Sequence, residues 1–124
     1  MRYETNADLD RTIACNCSIC SQRGLVLTFV EAKDFKLLSG ERDLADYQFN
    51  EKTIHHLFCP ACGVESFARG KRPDGGEMVA VNVRCLDGVD IAAAKAATLR
   101  REEPLSLPFI LRCETAKPAA SINP

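Results

Sequence analysis

Two groups of cysteines carry the chemistry written into this chain. Cys15, Cys17 and Cys20 fall within "ACNCSIC" as C-x-C-x2-C, and Cys59 and Cys62 fall within "FCPACG" as C-x2-C. Zinc binds four ligands tetrahedrally, with thiolate sulfur about 2.3 Å away, so the sulfurs must lie within roughly 4 Å of one another. Cysteines two residues apart meet that demand when the chain turns between them. A glycine just after the turn tolerates the left-handed backbone it needs. Pro60 and Gly63 fit such a knuckle around Cys59 and Cys62.

Other uses of these thiols fit less well. A disulfide framework wants pairs and an oxidising compartment, whereas seven cysteines is an odd number. The "CPAC" stretch could be a redox pair, but that motif should open a helix, and "GVESFARG" reads as a strand. Three buried structural thiols would sit awkwardly beside Asn16, Ser18, Ser21, Gln22 and Arg23. The spacing therefore predicts zinc on Cys15, Cys17 and Cys20, with Cys59 and Cys62 as further ligands.

Three protein ligands leave one tetrahedral position open, which is the mark of a catalytic rather than a structural site. Three thiolates on Zn²⁺ sum to a net −1, a poor Lewis acid for making hydroxide. Such a soft site suits a thiol ligand. Cys85 alternates with Val79, Val81 and Val83 and is expected to be a small core residue. Cys113 receives no role. His55 and His56 are adjacent on a strand, so they point to opposite faces and at most one could reach a metal. A surface or core role is expected for them.

The elements that must position these groups read as mostly β. Leu25–Val30, Phe35–Leu38, Leu44–Asn50, Ile54–Cys59, Val64–Arg69 and Met78–Leu86 alternate or run apolar between turns. Arg2–Thr5 is too short to assign from its pattern. Several short strands at spacings of about ten residues argue an all-β domain. Asp90–Glu103 is Ala-rich and predicts a C-terminal surface helix stopped by Pro104. Leu105–Leu111 alternates as an edge strand, demoted by Pro108. One domain over 1–115 is expected, with a disordered tail at 116–124.

Composition narrows the class of partner. The 124 residues carry 16 basic and 17 acidic side chains, for a net charge of −1. No basic stripe suited to nucleic acid stands out, since Arg69, Lys71 and Arg72 are followed at once by Asp74 and Glu77. No apolar run approaches the roughly 18 residues of a membrane span. The start, "MRYETN", lacks the apolar core of a signal peptide. A cytoplasmic protein without nucleic-acid or membrane partners is expected.

The stretches "ACNCSICSQRG", "HHLFCPACGVESFARG" and "MVAVNVRCLDGVD" together resemble the glutathione-dependent formaldehyde-activating enzyme family, whose relatives include centromere protein V. The resemblance covers about residues 2–90. It implies a small zinc-binding all-β fold of short antiparallel strands, the "β-tent". The implied activity is that of a carbon–sulfur lyase, S-(hydroxymethyl)glutathione synthase, joining the small thiol glutathione to an aldehyde, formaldehyde. Cys15, Cys17 and Cys20 match the family's catalytic zinc ligands. Cys59 and Cys62 match half of its structural zinc site. The other half in the family is a C-x-C pair upstream of the first strand, which this sequence lacks, so a shortened domain with an incomplete second site, and a homodimer covering the exposed edge, are expected. Two other classes fit the same thiols: a non-catalytic zinc-stabilised binding module, and a redox- or metal-responsive thiol protein.

Overall fold

The computed structural model describes residues 1–48 and 51–91, and the backbone of a further strand at Ala96–Leu99. Among these residues nine strands form two sheets. In chain order they are β1 (Arg2–Thr5), β2 (Thr12–Cys15), β3 (Val26–Glu31), β4 (Phe35–Ser39), β5 (Ala45–Tyr47), β6 (His55–Phe58), β7 (Glu65–Lys71), β8 (Glu77–Asn82) and β9 (Ala96–Leu99). An α-helix, α1 (Ser18–Arg23), follows β2. The main sheet runs β5-β6-β7-β8-β3-β2-β9, and β1 pairs with β4 alone. All these pairings are antiparallel except β2 with β9. The all-β expectation holds.

Register divides the main sheet into two faces. Leu57 pairs with Phe67, Phe67 with Val81, and Val81 with Thr28, so these four share one face. Val79 and Val30, two residues along β8 and β3, join them there. The two-stranded sheet covers this face with Tyr3, Phe35 and Leu37. The rings of Tyr3, Phe35 and Phe67 meet at centroid distances of 5.0, 5.7 and 4.6 Å. Thr28 can be buried among them because its hydroxyl donates to the carbonyl of Asp8 at 3.0 Å.

Tyr47, His56, Ala68, Ala80 and Phe29 form the opposite row. Leu27 lies on that face too, where it packs with Leu25 and Cys20 against Cys15, Cys17 and Ile19. The aromatic core thus sits on one side of the sheet and the triple-cysteine segment on the other.

A register slip between β6 and β7 redirects one carboxylate. Leu57 pairs with Phe67 but Phe58 pairs with Glu65, so Ser66 is an extra residue in β7. Without it Glu65 would share the Phe67 face. The bulge turns Glu65 onto the face of His56.

Several sequence expectations change. β2 and α1 did not show in the pattern. The predicted helix over Asp90–Glu103 fails where it is described, because Ala96–Leu99 pairs in parallel with β2. Helix propensity is a weak prior, and backbone pairing to a sheet edge overrides it. β8 ends at Asn82, whose side chain accepts from the Arg84 N–H at 3.1 Å and starts a 3-10 turn at Val83–Cys85. Cys85 therefore leaves the strand face it was assigned with Val79, Val81 and Val83. The expected strand at Leu105–Leu111, Cys113 and the tail at 116–124 lie outside the described residues.

Phe67 is 1% exposed, and its ring on the main sheet touches an aromatic ring from each strand of the small sheet. Phe67→Ala is expected to lower unfolding free energy by about 3–5 kcal/mol. Urea denaturation of the full chain measures this. A loss below about 1 kcal/mol would show that the ring does not join the two sheets.

Candidate metal centre

The triple-cysteine segment is built from a strand end and a helix start. Cys15 is the last residue of β2, and Cys17 caps α1 in extended conformation. The Cys17 sulfur accepts from the Cys20 backbone N–H at 3.5 Å, taking the part a serine or aspartate oxygen usually plays. The Cys15 sulfur accepts from the Cys17 N–H, also at 3.5 Å. Gly24 ends the helix at φ 62, and its N–H reaches back to the carbonyls of Cys20 and Ser21. The tight strand-to-helix turn brings the three sulfurs within 4.8 Å of one another. Among the described residues this is the one group of three or more potential ligands so close together.

Electrostatics within the group is uneven. A hydrogen bond from the Cys20 thiol holds the Cys17 thiol down at about 5, against the opposing effect of burial, with further help from the Cys20 N–H and Cys15. The same hydrogen bond to Cys17 pushes the Cys20 thiol up, and burial adds to it. The hydrogen bond thus favours the thiolate on Cys17 and the thiol on Cys20. A divalent cation would replace the thiol proton and relieve repulsion among the sulfurs. The residues fit such an ion: three soft donors converge, and among the described residues no fourth His, Cys, Asp or Glu joins them.

Cys59 and Cys62 form the turn between β6 and β7. The Cys59 N–H donates to Val64 O at 3.0 Å, and Gly63 N–H donates to Cys59 O at 2.7 Å. Gly63 has φ 75, the left-handed conformation expected after a knuckle. Backbone N–H groups of Cys62 and Ala61 lower the Cys59 thiol. No helix opens here, so the redox geometry considered for "CPAC" is absent. These two thiols do not join a third potential ligand in a close group among the described residues.

His55 is on the surface, with Nδ1 2.7 Å from Asp46. His56 is buried, and its Nδ1 lies 2.8 Å from Glu65 Oε1. A carboxylate only accepts, so Nδ1 carries the hydrogen. The other Glu65 oxygen pairs with Arg23, in the last turn of α1. The Arg23 guanidinium also stacks over the Tyr47 ring at 5.4 Å. Sequence reasoning missed Glu65, Arg23 and Tyr47. The available signal was spacing: Arg23 lies three residues after Cys20, Glu65 three after Cys62, and His56 three before Cys59.

Cys85 is half-buried, with its sulfur 3.9 Å from Glu65 O, and burial pushes its thiol up. A cavity of about 400 Å³ opens over the aromatic-core face, lined by Phe35, Leu57, Phe67, Arg69 and Val79 among others. Among the described residues, no cysteine lines it.

A small, mainly antiparallel β domain whose converging thiols can bind a metal ion defines the class. Residues 1–101 match the family model described as "Glutathione-dependent formaldehyde-activating enzyme". The chain belongs to that family. Its fold is also similar to the crystal structure of a Rhodobacter sphaeroides protein, at 28% identity and a TM-score of 0.68. That match covers 77% of this chain and 88% of the other.

In the metal-free chain, thiolate absorbance should show a step near pH 5, present above it and lost below, as Cys17 titrates. Cys17→Ser should remove that step; its persistence would assign the low-titrating thiol elsewhere. Cys85→Ser should leave metal per chain unchanged and cost about 1 kcal/mol of stability, because the site is only half-buried. Loss of a metal equivalent in that variant would make Cys85 a ligand.

Proposed function

We propose that the chain is a zinc-dependent carbon–sulfur lyase-like protein of the S-(hydroxymethyl)glutathione synthase type. Its substrates in this reading are glutathione, or a similar small thiol, and formaldehyde. The observation that supports it best is the set of three converging sulfurs, joined by no fourth His, Cys, Asp or Glu among the described residues, in a chain of this family. A hydrolytic metal site would more often use histidine or carboxylate donors.

Cys15, Cys17 and Cys20 would hold the ion. Bound there, zinc would supply an open position that favours a thiol in its thiolate form. The chain's own residues do the rest. The turn from β2 into α1 fixes the three donors, and Leu25, Leu27 and Ile19 pack against them and exclude water from the side facing the sheet. In the addition, a carbon–sulfur bond forms, the carbonyl π bond breaks, and the thiol proton ends on the former carbonyl oxygen. No oxidant or reductant is needed. With a negatively charged metal–thiolate set, the gain comes mainly from holding thiol and aldehyde together.

Cys59 and Cys62 fit a second, structural metal position in this reading, with the remaining ligands supplied by other groups. A reducing compartment such as the cytoplasm suits free thiols of this density. No helix among the described residues is long and apolar enough to cross a membrane.

The expected result is that zinc-loaded protein speeds formation of the glutathione–formaldehyde adduct, followed by NMR. Cys17→Ser should bind zinc at least about tenfold more weakly and lose the acceleration. Fully zinc-loaded wild-type protein that leaves the adduct rate unchanged would refute the reading.

A further inference from the structure

The ion network behind α1 has no part in the chemistry above, yet the chain buries it. Glu65 and His56 are 6% and 5% exposed. The Arg23 side chain is one-third exposed, lying between solvent and Glu65. A buried carboxylate is expensive unless paired, and an apolar pair of similar volume would often be as stable or more so. Stability alone is a weak reason to place one here.

Geometry supplies a stronger reason. α1 has six residues, well short of the roughly 12–15 that sustain a helix by themselves, and it buries only Cys20. Its orientation therefore depends on how its ends are held. At the N-terminus Cys17 caps it by accepting from the Cys20 N–H, and both of those groups belong to the thiol centre itself. At the other end Arg23 stands one turn beyond Cys20, on the same side of the helix. Its partner is fixed in place. Glu65 is aimed by the Ser66 bulge, its carbonyl accepts from Asn82 Nδ2 at 2.8 Å, and its second carboxylate oxygen is held by His56.

We infer that Glu65 is a positioning residue for the thiol centre, holding through Arg23 the helix that carries Cys20. This rests on the reading of Cys15, Cys17 and Cys20 as a metal centre. Because His56 and Glu65 flank the Cys59–Cys62 turn, the same clamp ties that hairpin to the helix.

Co²⁺ serves as the probe, added to the full chain carrying Cys59→Ser and Cys62→Ser so that only the triple-cysteine centre reports. Thiolate-to-cobalt absorption and chelator competition are compared for this background, for Glu65→Gln and Arg23→Lys added to it, and for Val79→Ala as a variant destabilised on the opposite face. Glu65→Gln and Arg23→Lys should each weaken Co²⁺ by about tenfold or more, as loss of a ligand-orienting partner does, with an altered d–d spectrum. Val79→Ala should stay within about twofold. Folded Glu65→Gln binding within about twofold of the background, with an unchanged spectrum, overturns the inference. So does equal weakening in Val79→Ala, which would trace the effect to global stability. If Glu65→Gln does not fold, Arg23→Lys decides by the same limits. Absence of any thiolate-to-cobalt band in the background and in the unsubstituted chain would instead overturn the metal centre, and this inference with it.

Discussion

Three sulfur atoms within 4.8 Å of one another are an unfavourable arrangement for a chain to hold. Each thiolate added raises the cost of the next, and the helix start can offer N–H groups to only some of them. The fold meets this constraint by splitting the load. One sulfur ends a strand, one caps a helix, and one is buried in that helix against Leu25 and Leu27. The Cys20 thiol's hydrogen bond to Cys17 eases the remaining repulsion, and a cation held there would ease it further. The main sheet is the rigid surface against which this compromise can be kept.

The two faces of that sheet do different work. Aromatic packing of Tyr3, Phe35 and Phe67 fastens the small sheet to one side and gives the domain its core. The other side is lined by small residues, Ala68 and Ala80, beside the row of His56 and Tyr47. Their size leaves room for a short helix and a buried ion network. The 400 Å³ cavity lies on the aromatic side, and among the described residues that line it there is none of the clustered cysteines.

Much of the thiol geometry could be read from spacing. Cys15, Cys17 and Cys20 do converge, and Gly63 does take the left-handed conformation that the Cys59–Cys62 turn requires. Local rules suffice there, because the contacts are between neighbours in sequence. The strands with clear alternation, such as Val26–Glu31 and the Met78–Asn82 run, were also legible, with ends shifted by a few residues. Longer-range pairing was not. Ala96–Leu99 looks helical by composition and becomes a strand because β2 offers an open edge. Glu65 lies in the predicted Val64–Arg69 strand with nothing local to mark its partners. The slip at Ser66, which depends on β6 as much as on β7, turns it from the Phe67 face to meet Arg23 and His56. Cys85 moved out of its expected row for a related reason, since Asn82 caps a turn that alternation cannot see.

The parallel partner of β2 has a bearing on how the protein is made. β9 runs beside the strand that ends in Cys15, with Thr12 opposite Ala96 and Cys15 opposite Leu99. During synthesis the three clustered cysteines leave the ribosome well before the segment that closes their strand's open edge. For that interval the strand that ends in Cys15 has one edge without its β9 partner. Completion of the sheet beside Cys15 therefore waits on a later stretch of the chain, and the order of translation sets how long that edge stays open.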